Sequence, residues 1–492
     1  MKKGKVFLVG AGPGDIGLIT VRGLEAIKLA EVILYDRLAN PKLLEFAPLD
    51  CELIYCGKLP HCHALRQDKI NDLLVEKALE GKIVVRLKGG DPSVFGRVGE
   101  EAAALAEHDI SFEIVPGITS GIAAPLYAGI PVTHREYGGS FAIVTAHDKS
   151  KEGKPSIDWE GLVNGIDTIS FYMGVANLPF ICESLIKHGK PSSTPVILVQ
   201  WGTFGRQKIL EGTLETIVQK AQFEKFENPA ITLIGDIVSI RGKLNWFEKK
   251  PLFGRQILLA RTGTEISEIA KELTEQGADV IEFPKWKKVS APVDMTVMRN
   301  IHMYEKILFT SPESVTDFFT TLAEQEIDIR NVKAKLFGGS TKSTRELKKR
   351  GFVVDVADKM TDCKKLLIVG DDQLQKHNTE YTAQYGVHDL FITSFKQIDE
   401  QFIPILQRML DEAALDTVVF PSSAAVQAFV EQAPVYGITA ERMLRNLKIV
   451  CMGKKTWAAA ETFGLNPDDM PENPTRQALI ECLQKTFIST RL

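Results

Sequence analysis

Two adjacent glycines and an acid, Gly89-Gly90-Asp91, close an apolar run at 84–87. Backbone passes close to a ligand only where no Cβ intervenes, so a glycine pair at a strand end marks a contact surface for a small molecule. Asp91 would offer its carboxylate to a hydroxyl or an ammonium there. The same letters, G-G-D-P, also spell an ordinary turn. A second glycine-rich turn, Gly10-Ala11-Gly12-Pro13-Gly14-Asp15, follows the apolar run 5–9 and precedes a helical pattern. Its spacing is close to the G-x-G-x-x-G loop that seats a pyrophosphate on a helix N-terminus. Pro13 argues against phosphate, because its ring removes an amide donor and fixes φ, and no Walker-type lysine follows. Three more turn-rich segments stand beside apolar runs: Pro116-Gly117-Ile118-Thr119-Ser120, the stretch 129–135, and Tyr172-Met173-Gly174.

The elements that must carry these turns follow from periodicity. Strand-like runs at 5–9, 32–35, 52–55, 83–87 and 112–115 alternate with helical patterns at 18–30, 68–80 and 99–107, the α/β signature of a mostly parallel sheet. A second lobe follows, with strands near 141–145, 168–172, 196–200 and 231–234. The charged stretch 243–253, with Pro251, reads as a linker. The pattern then restarts with a strand at 257–260, a helix at 265–276 closed by Gly277, and a strand at 280–283. Two strand-turn-helix pieces echo one another, F-T-S-P-E-S-V at 309–315 and F-P-S-S-A-A-V at 420–426. A second pair, at 336–351 and 449–464, follows at similar distance. The duplication predicts two α/β lobes, one discontinuous (about 254–290 and 400–492) with the other inserted into it.

Composition fits a soluble enzyme of several domains: 492 residues, 44% of them hydrophobic, against the usual ~100–200 residues per domain. No apolar run approaches the ~20 residues of a membrane span, and no signal peptide is evident. The seven cysteines are odd in number and form no Cys-x-x-Cys pair, which predicts reduced thiols in the cytoplasm and no metal site. A net charge of −4 makes nucleic acid an unexpected partner.

Read in order, V-G-A-G-P-G-D at 9–15, Y-D-R-L at 35–38, C-G-K at 56–58, R-L-K-G-G-D-P at 86–92, P-G-I-T-S at 116–120, G-I-P-V-T-H-R at 129–135, Y-M-G at 172–174 and W-G-T at 201–203 closely resemble the tetrapyrrole methylase family. Ser93, Val98 and Ala146 depart from its pattern, at positions without assigned chemistry. The resemblance implies a two-lobed fold over 1–242 (lobes about 1–116 and 117–242) with the ligand between the lobes. It also implies transfer of methyl groups from S-adenosylmethionine to two pyrrole carbons of uroporphyrinogen III, giving precorrin-2, or methylation of a later precorrin.

A reduced pyrrole is itself the nucleophile, so the protein must align the reacting atoms and supply a base. Asp36, at the end of the 32–35 strand, would project into the crevice that α/β proteins use for ligands and is the candidate base. Its bland alternative is an ion pair with Arg37 or a helix cap. Lys58 is the second catalytic candidate. The cofactor positions carried over are Pro13, Gly89, Gly90, Asp91, Val94, Thr119, Ser120, Met173, Gly202 and Ala230. His63, Arg66, Arg97, His134 and Arg135 suit substrate carboxylates as well as they suit the surface, and stay outside the site. A homodimer through this half is the expected assembly. The upstream dehydrogenase and chelatase segment of the trifunctional sirohaem enzymes is not expected here, and the product would serve sirohaem or cobalamin synthesis.

Residues 254–492 resemble the uroporphyrinogen-III synthase family, whose motifs are short. The resemblance implies cyclisation of hydroxymethylbilane in a cleft between two lobes, or a non-catalytic tetrapyrrole-binding role. Thr310, Ser311, Ser314, Ser422, Ser423 and Thr456 are the substrate-binding candidates, since helix N-termini hold carboxylates, with plain N-capping as the alternative. Phe395 stands where the family commonly has a tyrosine; Tyr381, Tyr385 or simple binding-induced folding of the substrate would stand in for the missing phenol.

Overall fold

The structure is a computed structural model describing residues 3–57, 66–146, 156–357, 360 and 364–491. The described residues form an α/β protein with four sheets. The first contains β1 (Lys5–Gly10), β2 (Val32–Tyr35), β3 (Glu52–Tyr55), β4 (Ile83–Lys88) and β5 (Ser111–Val115) in the order β3-β2-β4-β1-β5, every pairing parallel. β1 and β2 are near-continuous apolar runs because helices cover both faces of such a sheet. Helices Gln67–Leu79 and Val98–Glu107 bring Leu74, Ala78 and Leu105 against Val6, Leu34 and Val84.

The second sheet contains β6 (Phe141–Thr145), β7 (Thr168–Tyr172), β8 (Pro195–Gln200), β9 (Lys208–Thr213) and β10 (Ala230–Ile234), ordered β6-β7-β10-β8-β9. Only β6 and β7 pair in parallel; β10 runs antiparallel to β7 and β8, and β8 and β9 form a hairpin. β9 is absent from the sequence-based reading, because K-I-L-E-G-T is a half-exposed strand without a continuous apolar run.

β11 (Gln256–Ala260) and β12 (Asp279–Phe283) open the third sheet. The chain then leaves to form β13 (Trp286–Ser290), β14 (Lys306–Phe309), β15 (Lys335–Gly338), β16 (Asp355–Val356), β17 (Leu366–Asp371) and β18 (His388–Ile398). These make a six-stranded sheet, β13-β18-β17-β14-β15-β16, with its own core around Phe309, Phe318 and Phe391. β19 (Thr417–Phe420) and β20 (Lys448–Cys451) return to complete the order β12-β11-β19-β20. Buried Arg255 clasps this return: its Nε donates to Asp416 at 2.8 Å and its Nη1 to the Leu483 carbonyl at 2.8 Å. Two compact units result, one of Met1–Arg261, Ser267–Phe283 and Pro404–Leu492, the other of Thr262–Ile266 and Pro284–Ile403. No helix among the described residues is long and apolar enough to cross a membrane.

Candidate active site

Asp36 leaves the end of β2, with its N–H bonded to the Leu87 carbonyl at 3.2 Å. Its Oδ1 accepts from Arg86 Nη2 at 2.6 Å. Arg86 and Lys88 lie two apart on β4 and so share a face, and both donate to Glu101 Oε1, at 3.1 and 2.7 Å. Glu101 is fully buried and its Oε2 has no hydrogen-bond partner. Two acids and two bases balance in this cluster, which fixes the Asp36 carboxylate from inside the lobe; a buried network of this kind is rigid when its members are paired. Burial, then the neighbouring Arg86 charge, hold the Lys88 ammonium below its ordinary pKa. Burial holds the Cys56 thiol up at about 11. The ion pair of Asp36 with Arg37 weighed from sequence is therefore not the one formed: Arg37 turns away to Glu412, at 3.0 Å. Lys58 and His63 lie outside the described residues.

Three glycine turns, at the ends of β1, β4 and β5, meet one another. Gly12 and Gly90 exchange two backbone hydrogen bonds, of 3.2 and 2.7 Å. A Cβ on Gly10 would stand 2.6 Å from Gly117 N, and one on Gly117 2.3 Å from the Gly90 oxygen, so these turns are in backbone contact and admit no side chain. Gly89 is closed in the same way by Leu38, whose Cβ would be 2.7 Å away. Gly90 is different. Its φ is +70°, and a Cβ there would meet nothing nearer than Ser120 N at 3.8 Å and Thr119 Cα at 3.9 Å. Of Gly10, Gly12, Gly89, Gly90 and Gly117, Gly90 alone thus leaves room the size of a methyl group, a slot beside Thr119 and Ser120.

Asp91 works on the loops themselves. One oxygen accepts from Ser93 N at 2.7 Å and Ser93 Oγ at 2.5 Å, the other from Gly117 N at 3.0 Å, while Val94 N bonds the Asp91 carbonyl at 3.2 Å. Thr119 Oγ1 and Gly121 N both meet the Tyr172 hydroxyl at 2.5 Å, which ties helix Ser120–Tyr127 to β7. Met173 follows Tyr172 directly, with φ +56° and 45% exposure. The Phe95 ring packs edge-on against Tyr172, 5.2 Å between centroids. Gly202 serves packing, since a Cβ there would be 2.4 Å from the Ala124 methyl. Ala230 opens β10 opposite Gln200. Half-buried Pro13 precedes Gly14, where a Cβ would run into the Phe204 ring at 2.2 Å.

Backbone strain gathers in the same place. Of nine non-glycine residues with positive φ among the described residues, five (Phe95, Arg97, Met173, Trp201 and Thr203) belong to these loops. Such conformations cost of order 1–3 kcal/mol each and persist where surrounding structure over-determines them, commonly at ligand sites. Arg97 itself pairs with Glu100 at 2.6 Å. Arg86, Lys88, Glu101 and Tyr172 were not among the candidates. Two cations at i and i+2 of a buried strand are the signal that points to the first pair.

The hydroxyl candidates downstream make local contacts. In the first unit, Ser422 accepts from Ala425 N at 3.2 Å, Ser423 Oγ donates to the Lys455 carbonyl at 3.0 Å, and Thr456 is buried in the first turn of helix Lys454–Thr462. In the second unit, Ser311 and Ser314 form a reciprocal capping box, repeated by Ser340 and Ser343, and Thr310 Oγ1 donates to the Val369 carbonyl at 3.2 Å. Phe395 lies within β18, opposite Val289 of β13. Tyr381 and Tyr385 stack on one another.

Comparison with known proteins completes the picture. Residues 5–218 match the family model of the tetrapyrrole (corrin/porphyrin) methylases, and residues 267–481 that of uroporphyrinogen-III synthase. A uroporphyrinogen-III C-methyltransferase of Bacillus subtilis is 51% identical over 463 residues, 94% of each chain. The porphyrin biosynthesis protein HemD of Ruminiclostridium josui is 35% identical over 489 residues, 94% of this chain and 95% of that one. A uroporphyrinogen-III C-methyltransferase of Priestia megaterium is 59% identical over 236 residues, 48% of this chain and 99% of its own.

Proposed function

Since this chain belongs to the tetrapyrrole methylase family and carries a uroporphyrinogen-III synthase region behind it, we propose that it methylates uroporphyrinogen III at two pyrrole carbons to give precorrin-2. The methyl donor is S-adenosylmethionine, which supplies an electrophilic methyl on a sulfonium. The observation that carries the reading is a one-residue step. Leu38, two residues beyond Asp36, seats on Gly89, while Gly90 faces the slot shared with Thr119 and Ser120. A base at the end of β2 and a ligand slot at the end of its neighbour β4 thus adjoin. The slot is where the donor is assigned: of the crevice glycines Gly10, Gly12, Gly89, Gly90 and Gly117, Gly90 alone has no protein atom closer than 3.8 Å to a built Cβ.

In this reading the chain's residues divide the work. Gly89, Gly90, Thr119, Ser120, Val94 and Met173 shape the donor slot; Asp91 braces two of its loops; Pro13, Gly202 and Ala230 are the further cofactor positions. Asp36, aimed by Arg86, takes the proton lost from the methylated ring, and Lys58 is its assigned partner in proton transfer. Alignment accounts for most of the acceleration. Incubating the protein with uroporphyrinogen III and labelled methyl donor tests this: the expected product carries two methyl groups, and methylation confined to a later precorrin would overturn it.

The downstream region is assigned cyclisation of hydroxymethylbilane to uroporphyrinogen III, with Thr310, Ser311, Ser314, Ser422, Ser423 and Thr456 at helix N-termini that suit carboxylate groups. Phe395, fixed in the middle of a strand, favours a second reading in which this region binds tetrapyrrole without catalysis. Isomer analysis of the product formed from hydroxymethylbilane separates the two. A cytoplasmic homodimer is assigned through the methyltransferase half, where Phe112 and Ile114 on edge strand β5 and Ile118, Ile122 and Leu126 after it are 36–48% exposed; a monomer mass in sedimentation equilibrium would refute it.

A further inference from the structure

The synthase region touches the methyltransferase at the loop that carries Asp36. Helix Ile403–Glu412 is the first helix after the chain re-enters from the 284–403 insertion. From it the Arg408 guanidinium lies 3.9 Å from the Tyr55 ring centroid and 5.5 Å from that of Tyr35. Those rings belong to register partners on β3 and β2, 5.4 Å apart. Tyr35 immediately precedes Asp36. One turn along the helix, Glu412 holds Arg37 at 3.0 Å.

The two residues at the strand end are therefore pulled in opposite directions, Asp36 inward by Arg86 and Arg37 outward by Glu412. The opposed pulls fix the backbone between them. A second contact lies on the other crevice loop, where Arg206 pairs with Asp279 of β12 at 3.4 Å and covers the Trp201 ring at 4.3 Å. A small cavity separates the two contacts, lined in part by Leu38, Asn40, Arg206 and Met409.

We infer that Arg408 and Glu412 are positioning residues for methyl transfer, so that the synthase region forms part of the scaffold of the methyltransferase site. The inference rests on the methyltransferase reading above. An ion pair half exposed to water contributes little to stability, and a cation over an aromatic ring contributes modestly. A catalytic group displaced by about 1 Å can lose about 10²-fold in rate. The pair therefore affects rate more than folding.

The test is made in the full-length chain, with uroporphyrinogen III and labelled methyl donor. Arg408→Ala is expected to lower kcat about tenfold, within the range for residues that modulate a site without touching ligand, with KM for the methyl donor and Tm unchanged. Arg408→Lys, which keeps a charge over the rings, is expected to recover most of the rate. Arg37→Glu and Glu412→Arg should each lower kcat, and the double variant should restore it. Wild-type kcat in Arg408→Ala, or a double variant no better than its parents, overturns the inference while leaving the methyltransferase reading intact. A wild-type protein inert toward uroporphyrinogen III overturns both.

Discussion

The crevice of the first half and the helix N-termini of the second half are built by different means. In the crevice, residue identity is set by distant neighbours: Gly117 must be glycine because the Gly90 oxygen occupies the place of its Cβ, and Arg86 reaches Asp36 across 50 residues of sequence. At the helix N-termini, Ser311 and Ser422 satisfy amides three residues away. Non-local constraints admit few residues and leave specific motifs. Local caps admit Ser, Thr, Asp or Asn alike, and their motifs are correspondingly loose.

That contrast can be broken by substitution. Asp36→Asn, which preserves shape and removes the base, should lower kcat for methylation by roughly 10²–10⁴ while S-adenosylhomocysteine still binds by calorimetry; undiminished turnover would remove Asp36 from the base role. Glu101→Gln leaves Arg86 and Lys88 buried without their shared counter-charge, and urea unfolding should show a loss of about 3–5 kcal/mol. A loss below 1 kcal/mol would mean water already reaches the cluster. Gly90→Ala tests the slot itself: the left-handed backbone costs about 1–2 kcal/mol, and the added methyl would fill the proposed donor slot, so affinity for S-adenosylhomocysteine should fall further than stability does. Equal losses in both would say that the slot takes no ligand. Smallest of all, Ser422→Ala should cost about 1 kcal/mol by thermal unfolding, with cyclisation retained; loss of cyclisation at full stability would make Ser422 a substrate contact and erase the contrast between the halves.

The parallel first sheet was legible because its strands, apolar over most of their length, alternate with helical patterns: 5–9 against the observed Lys5–Gly10, and 32–35 and 52–55 as found. β9 and β13 were not, since K-I-L-E-G-T and W-K-K-V-S carry charge on half-exposed strands and owe their pairing to a partner strand. The turns of the crevice were legible as glycines, and their functions only partly so. Sequence shows that Gly202 and Gly90 are both glycine; only packing shows that one is filled by Ala124 and the other open. Glu101 sits beside Glu100 in a helix, and nothing local distinguishes the one that is wholly buried from its half-exposed neighbour.

The late return of the chain to its third sheet has a consequence during synthesis. β11 lies between β12 and β19, and its first residue bonds Asp416, 160 positions downstream. At about 5–20 residues per second, one flank of β11 stands open on the ribosome for roughly 8–30 s, while both sheets of the methyltransferase half have already emerged in full. The nascent chain thus offers a bare sheet edge, a template for wrong pairing, through the whole translation of the insertion.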